Sequence, residues 1–118
     1  MSLQSPPHFL RTERVDGATR VRFTETNLDD GNIEAIGDEL FDLVDGHGHR
    51  ELHLDFGNVE SLTSLGLGKL IALHKKLRAV GGRLSLRNVR PAVYEVFDVT
   101  RLTRLFDVQR TGWHVGAA

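Results

Sequence analysis

The sequence contains no cysteine among its 118 residues. This absence excludes disulfide bonds, thiolate catalysis and cysteine-ligated zinc. No apolar run approaches the roughly 18 residues of a membrane span, and the first residues lack the basic-then-apolar pattern of a signal peptide. The formal net charge is only −1, so no basic excess points to nucleic acid or to an anionic membrane. We therefore expect a cytoplasmic protein with neither of these partners.

Length and composition indicate one small domain. Hydrophobic residues make up 40% of the chain and charged residues 26%, which is ordinary for a globular protein. No internal repeat, low-complexity segment or linker divides the sequence, and its length suffices for one hydrophobic core. We predict a single domain over residues 1–118, with a core of about 8–110 and a loose tail at each end.

Alternating apolar and polar residues predict several strands. A weak strand is predicted over 9–15, and the alternating segments are 18–24, 51–56 and 83–87. Asp16-Gly17 is a turn dipeptide that predicts a hairpin between the first two of these strands. A last short strand or turn is expected near Val108, whereas Trp113 is assigned to no element.

Apolar residues at helical spacing predict three helices between the strands. The first is expected to be capped by Asp29 or Asp30 and to end at Asp45-Gly46. The second ends at Gly81-Gly82, and the third begins at Pro91. The predicted inward-facing residues are Ile33, Ile36, Leu40, Leu43 and Val44; Leu67, Leu70, Ile71, His74, Leu77 and Val80; Val93, Val96 and Phe97; and finally Leu102, Leu105, Phe106 and Val108.

The polar side of the strands distinguishes two architectures. It carries Arg20, Arg22, His53, Arg83, Ser85 and Arg87. Strands covered by helices on both faces read as continuous apolar runs, whereas these strands alternate. Strand-helix-strand connections also imply parallel neighbours. We predict an α/β fold with a small mixed, mostly parallel sheet of four to five strands and helices packed mainly on one face.

The segment Ser61–Leu70, SLTSLGLGKL, contains the residues that suggest chemistry. A nucleophile elbow needs glycine on both sides of its serine, but Leu62 stands two residues before Ser64. A phosphate-binding P-loop needs a Ser or Thr after its Gly-Lys pair, and Leu70 occupies that place. A dinucleotide-binding fingerprint would need glycine at Ile71. None of these three enzyme motifs is complete.

Histidines and arginines offer two other kinds of site. The run of His47, His49 and His53 could hold a metal, but it spans a loop and a strand, and solvated histidines are the simpler interpretation. His74 lies within the apolar stripe of the second helix, and we expect it to be a packed, hydrogen-bonded histidine and not a general base. The arginines of the polar strand face suit either an anion-binding surface or an ordinary solvated face. We predict no metal, no cofactor and no catalytic residue, although a small hydrolase or metal enzyme using Ser64 or the histidines remains an alternative.

Several short motifs follow one another in a fixed order along the chain. The first consists of Asp55, Val59, Ser64, Gly66 and Leu67, where a predicted strand leads into a predicted helix. The later motifs are Gly81-Gly82-Arg83-Leu84, Asn88-Val89-Arg90-Pro91, and Phe97–Leu102 with Leu105-Phe106. This order resembles the STAS domain of bacterial anti-sigma factor antagonists, in which a strand leads into a serine-glycine-leucine helix start. The motifs cover about half of the chain, and the order of elements extends the resemblance over nearly all of it.

The resemblance implies a binding module and not an enzyme. It implies a partner that is an anti-sigma factor with serine kinase activity, a phosphatase of the PP2C type, and Ser64 as the phosphorylated residue, with Thr63 as a second choice. The residues it implies for partner binding are Asn58, Leu62, Thr63, Ser64, Leu65, Gly66 and Gly68.

The chain also departs from the family pattern. Thr63 replaces an aspartate, Ser61 an aromatic residue, Leu65 a small residue and Arg101 a glycine. A non-phosphorylated STAS scaffold subunit of a larger signalling assembly therefore remains an alternative. The residues alone also allow Thr63 and Ser64 to be helix caps and nothing more.

Overall fold

The structure is a computed structural model that describes residues 9–110. Its elements, in chain order, are β1 Leu10–Val15, β2 Ala18–Phe23, β3 Asn27–Leu28, α1 Ile33–Asp45, β4 Glu51–Asp55, β5 Ser61–Leu62, α2 Ser64–Ala79, β6 Arg83–Val89, α3 Pro91–Val99, a 3-10 turn Leu102–Arg104 and β7 Asp107–Arg110. The predicted tails and Trp113 lie outside the described residues.

The main sheet has five strands in the order β1-β2-β4-β6-β7. β1 and β2 form an antiparallel hairpin, and every other neighbouring pair is parallel. Asp16 and Gly17 turn the hairpin with φ of 49° and 85°, because a tight hairpin turn that matches strand twist needs positive φ at both central residues. The mixed, mostly parallel sheet predicted from the sequence is confirmed.

The two faces of the sheet differ as the alternation predicted. Phe23, Leu52 and Leu54 are fully buried and form one core cluster with apolar residues of all three helices. On the opposite face Arg20 and Arg83 are exposed. The helices therefore pack on one face, and the other face, which we call the outer face, meets water.

Two predicted packing positions are exposed in the structure, and one buried position of α2 was not predicted. Val80 is 39% exposed because α2 ends at Ala79 and Val80 is its C-cap. Leu73, which the prediction omitted, is fully buried instead, since it lies between Leu70 and Leu77 on the helix surface. Leu105 is 41% exposed, while its neighbour Phe106 is buried.

The N-terminus of α1 is also built differently from the prediction. Neither Asp29 nor Asp30 is the cap; the N-cap residue is Asn32. Residues 29–32 form a turn in which the Asn32 side chain accepts a hydrogen bond from the Asp29 N–H at 3.1 Å. The Asp29 carbonyl in turn accepts from the Ile33 N–H at 2.9 Å. Asp29 Oδ1 accepts the Gly31 N–H at 2.9 Å within this turn, whereas the Asp30 carboxylate points to another part of the chain and accepts from the Thr63 hydroxyl.

A second, two-stranded sheet positions the segment before α2. β3 and β5 pair in parallel, with Asn27 opposite Ser61 and Leu28 opposite Leu62. The Ser61 hydroxyl donates to Asn27 Oδ1 at 2.5 Å. This pairing joins the segment that follows β2 to the segment that enters α2. It therefore fixes the place at which α2 begins.

Candidate functional site

Ser64 is the first residue of α2, and Thr63 is its N-cap. Thr63 has the extended backbone of a cap residue, with φ −86° and ψ 172°, and its Oγ1 accepts the Gly66 N–H at 3.3 Å. The possibility that Ser64 is the capping residue is therefore wrong, because its backbone is already helical. Within the part of the chain that the structure describes, the exposed Ser64 hydroxyl makes no hydrogen bond.

Thr63 is fully engaged by its neighbours. Its N–H donates to the Leu28 carbonyl at 3.0 Å, and its hydroxyl lies 3.2 Å from Asp30 Oδ1. The side chain is half-buried. Thr63 thus connects the small sheet, the α1 turn and the α2 N-terminus. The hydroxyl of the neighbouring Ser64 makes no such contact with any described residue.

Ser64 lies in an open groove between α1 and α2, which we call the α2 groove. Its volume is about 500 Å³, and its lining residues are Glu34, Ser64, Leu65, Gly68, Lys69 and Ala72. Leu65 is 49% exposed, and a Cβ added at Gly68 would meet nothing within 4 Å. Leu65, Gly68 and Ala72 follow helical spacing and form one small apolar strip. Such a strip offers a flat contact for another protein.

The other residues predicted to bind a partner lie elsewhere. Leu62 is half-buried against the core, and Gly66 is buried, where an added Cβ would lie 2.7 Å from Leu62 Cδ1. Asn58 is exposed, but its Nδ2 donates to the Phe23 carbonyl at 3.1 Å, and it lines a different cavity with Arg22 and Asp55. Of the seven, Ser64, Leu65 and Gly68 line the α2 groove, with Thr63 adjoining them.

The charged residues of the α2 groove were not found from the sequence. Lys69 Nζ lies 3.1 Å from Glu34 Oε1 and 5.7 Å from the centre of the Phe41 ring. Glu34 and Phe41 belong to α1, and nothing in the linear pattern shows that this helix faces the start of α2. Asp30 adds a second carboxylate near the helix start through Thr63. One acidic residue, Glu34, therefore lines the groove together with Ser64, and Asp30 lies next to the N-cap residue.

The three histidines of the predicted run, His47, His49 and His53, contact different polar groups. His53 Nε2 lies 3.1 Å from Glu51, His49 Nδ1 lies 2.6 Å from the Thr19 hydroxyl, and His47 lies 3.6 Å from Asp42. Burial, then the charge of Arg14, then that of His47, lower the pKa of His49. Among the described residues, no group of three or more metal-ligating side chains is close enough to hold an ion.

His74 is a packed residue, as its place in the apolar stripe predicted. It is 8% exposed, and its ring meets Phe106 edge-to-face at 5.3 Å. The expected hydrogen bond is not found at its buried Nδ1, which has no partner within residues 9–110. Burial, followed by the nearby Arg78, lowers the pKa of His74. The neutral ring is the form that this environment favours.

Comparison with known proteins identifies the family. The family model for the STAS domain matches residues 10–115. The chain is 30% identical over 109 residues to BtrV of Bordetella bronchiseptica, covering 92% of each, and the name of that protein assigns it provisionally to the anti-sigma factor antagonists. No helix within residues 9–110 is long and apolar enough to cross a membrane.

Solved structures share the fold. An anti-sigma factor antagonist from Mycobacterium paratuberculosis superposes with a TM-score of 0.75 at 25% identity, covering 87% of this chain and 86% of the other. The Bacillus protein SpoIIAA superposes in its unphosphorylated form with a TM-score of 0.71 at 23% identity, covering 84% and 86%. Its phosphorylated form gives 0.66 at 22%, covering 84% and 89%.

Proposed function

Because the chain belongs to the STAS domain family, we propose that it is an anti-sigma factor antagonist in the cytoplasm. Its partner is an anti-sigma factor with serine kinase activity, which the unphosphorylated chain binds through the α2 groove. Phosphorylation of Ser64 releases that partner, and a phosphatase of the PP2C type restores binding. The chain acts as a binding module and performs no catalysis itself.

One observation supports this proposal more than any other. The Ser64 hydroxyl is exposed and without a hydrogen bond to any described residue, and the apolar strip of Leu65, Gly68 and Ala72 begins beside it. A kinase can reach such a hydroxyl without unfolding the chain. A partner seated on the strip would cover the same atom.

Phosphorylation at this place should leave the fold intact. A phosphate adds about −1.5 to −2 charges at neutral pH. The first turn of α2 contains no acidic residue, and the N-terminal end of a helix stabilises negative charge by roughly 0.3–1 kcal/mol. Ser64 supplies no cap or core contact that the phosphate would break. The modification must therefore act on the partner surface.

The same phosphate would oppose binding. A partner covering the α2 groove would remove the phosphate from water, which is costly unless a cation compensates for its charge. Lys69, the cation that lines the groove, is already paired with Glu34. Asp30, next to the N-cap residue, adds a like charge near the start of α2. Release of the partner follows from charge and desolvation, with no change of fold.

The first experiment tests the phosphorylated residue. The protein is incubated with ATP and the GHKL-type anti-sigma factor kinase encoded nearest to its gene, and its intact mass is measured. We expect one phosphate on the wild type and on Thr63→Ser, which keeps the capping hydroxyl, and none on Ser64→Ala. Phosphate on Ser64→Ala would contradict the assignment.

The second experiment tests the switch. We expect Ser64→Asp to weaken binding to the same kinase at least about tenfold, as judged from the cost of burying an unpaired charge, while Gln109→Glu, which adds the same charge on β7, leaves binding unchanged. The urea midpoint of Ser64→Asp should stay within the range of a surface substitution. Equal binding by Ser64→Asp and wild type would refute the switch.

A non-phosphorylated scaffold is the second candidate, and the engagement of Thr63 favours it. The family pattern has a charged aspartate there, whereas this chain caps α2 with the uncharged Thr63 hydroxyl, which is also held by Asp30. A scaffold subunit would show no phosphate in the first experiment and would be recovered in a particle of large native mass. The two candidates therefore give opposite results.

A further inference from the structure

The outer face of the sheet carries charges that divide unevenly between its strands. In the register of β4 and β6, Glu51 lies opposite Arg83 and Asp55 opposite Arg87, so opposite charges alternate across this half. In the register of β1 and β2, Arg11 lies opposite Arg22, and Glu13 opposite Arg20. That half therefore has three arginines and one glutamate.

The three arginines, which we call the arginine cluster, are poorly neutralised. Arg11 and Arg20 form no ion pair with any described residue. Arg22 Nε lies 3.8 Å from Asp55 Oδ2, but Oδ1 of the same carboxylate already accepts from Gly57 N–H at 2.8 Å and Asn88 Nδ2 at 3.1 Å. Like charges directly opposite on paired strands destabilise a sheet. The pairing of Arg11 with Arg22 therefore lowers the stability of the sheet, and the fold alone does not explain why both residues are arginine.

The arginine cluster also surrounds a concavity. A cavity of about 270 Å³ is lined by Arg11, Thr12, Glu13, Arg20 and Arg22. Each guanidinium is planar and can hold a carboxylate through two parallel hydrogen bonds. Arg20 and Arg22 are alternate residues of one strand, separated by roughly 6.8 Å. That separation equals the distance between alternate side chains of an extended peptide laid along the strand.

We propose that the arginine cluster binds an extended acidic segment of another protein. The segments outside the described residues, MSLQSPPH and TGWHVGAA, contain no Asp or Glu, so they cannot supply its side-chain carboxylates. The net charge of −1 disfavours long nucleic acid, which is attracted by an overall basic domain. A short acidic peptide, in contrast, can contact the arginine cluster without contacting the rest of the surface.

This surface is separate from the α2 groove. The arginine cluster lies on the outer face, whereas α2 packs on the core face of the sheet. A partner held at the arginine cluster leaves Ser64 open to a kinase. Binding there should be the same in wild type and Ser64→Asp, so the proposal can succeed or fail independently of the phosphorylation switch.

The test uses hexaglutamate as the probe. The ¹⁵N-labelled full chain is titrated with hexaglutamate at low salt, and hexaglutamine serves as the neutral control. We expect the largest amide shifts in β1 and β2, none in α2, and no response to hexaglutamine. Arg11→Gln/Arg20→Gln should weaken the affinity about tenfold, because each exposed charge pair contributes modestly. Arg78→Gln/Arg104→Gln removes the same charge elsewhere and should leave the affinity unchanged.

Several results would overturn the proposal. Equal weakening by both double variants, or shifts spread over the whole surface, would mean unspecific attraction. Tighter binding of hexathymidylate than of hexaglutamate would assign the arginine cluster to nucleic acid. Self-association that Arg11→Gln/Arg20→Gln abolishes would assign it to a second copy of the chain. A urea midpoint of Arg11→Gln/Arg20→Gln that is unchanged, or raised by relief of the repulsion between Arg11 and Arg22, shows that lost binding is not lost folding.

Discussion

Two glycines two residues apart in α2 should respond oppositely to the same substitution. In the interior of a helix, alanine is more favourable than glycine by about 0.8–1 kcal/mol. A Cβ at Gly68 would meet nothing within 4 Å, so the whole gain should be realised. We expect Gly68→Ala to raise the free energy of unfolding by about 0.5–1 kcal/mol.

The same methyl group at Gly66 enters an occupied space. It would lie 2.7 Å from Leu62 Cδ1 and 3.1 Å from the Leu28 carbonyl oxygen. The leucine can rotate away, but the carbonyl is held by the Thr63 N–H at 3.0 Å. Overpacking a filled site costs roughly 1–3 kcal/mol, which exceeds the helical gain. We expect Gly66→Ala to lower the free energy of unfolding by about 1 kcal/mol.

Urea unfolding of both variants beside the wild type measures the difference directly. The slopes with denaturant should agree, so that the midpoints report stability alone. The predicted separation between the variants is about 1.5–2 kcal/mol. If Gly66→Ala were as stable as Gly68→Ala, the close contact of α2 with the small sheet would be refuted. Gly68→Ala should also bind the anti-sigma factor more weakly, since its methyl group projects into the α2 groove.

Two further substitutions test strain and pH dependence. Arg101 follows the C-cap of α3 with φ 63°, a conformation that costs a residue with a side chain about 1–2 kcal/mol. Arg101→Gly should therefore raise the free energy of unfolding by about 0.5–1 kcal/mol after the entropy cost of glycine, whereas the control Arg104→Gly should not. Equal urea midpoints for the two variants would contradict this. The lowered pKa of His74 means that the unfolded chain binds more protons below its ordinary pKa of about 6.5. The stability that the lowered pKa of His74 contributes above pH 6.5 should therefore be lost as the pH falls below that value. His74→Leu should reduce the difference between urea midpoints at pH 7.5 and pH 5.5, though not abolish it, because the pKa of His49 is lowered too; an unchanged difference would exclude His74 as a cause.

The main sheet could be predicted because one of its faces is wet. Leu52 and Leu54 are buried while His53 between them is less so, and this contrast is a period-two signal that survives in the sequence. β3 and β5 have two residues each. So short a strand has no period, and its pairing is visible only after the chain has folded.

The site could be predicted only in part, for two physical reasons. Thr63 and Ser64 both carry a hydroxyl able to cap a helix, and only the backbone angles decide which residue stands outside α2. The charged neighbours of Ser64 come from a different helix: Glu34 is thirty positions away and reaches the groove because α1 packs on α2. Leu65 was predictable because an apolar residue beside the serine is a property of the local sequence.

The pairing of β3 with β5 has a consequence for any enzyme that modifies Ser64. Many kinases thread a substrate through their cleft as a loose strand, but Ser61 and Leu62 are already bound to Asn27 and Leu28 by backbone pairing. Peeling them away would dismantle the entry to α2. The enzyme must then read the shape of the assembled domain, so a synthetic peptide spanning residues 58–70 should be a poor substitute. If the proposed phosphorylation takes place, a search for a linear consensus around this serine would overlook the features that a kinase recognises.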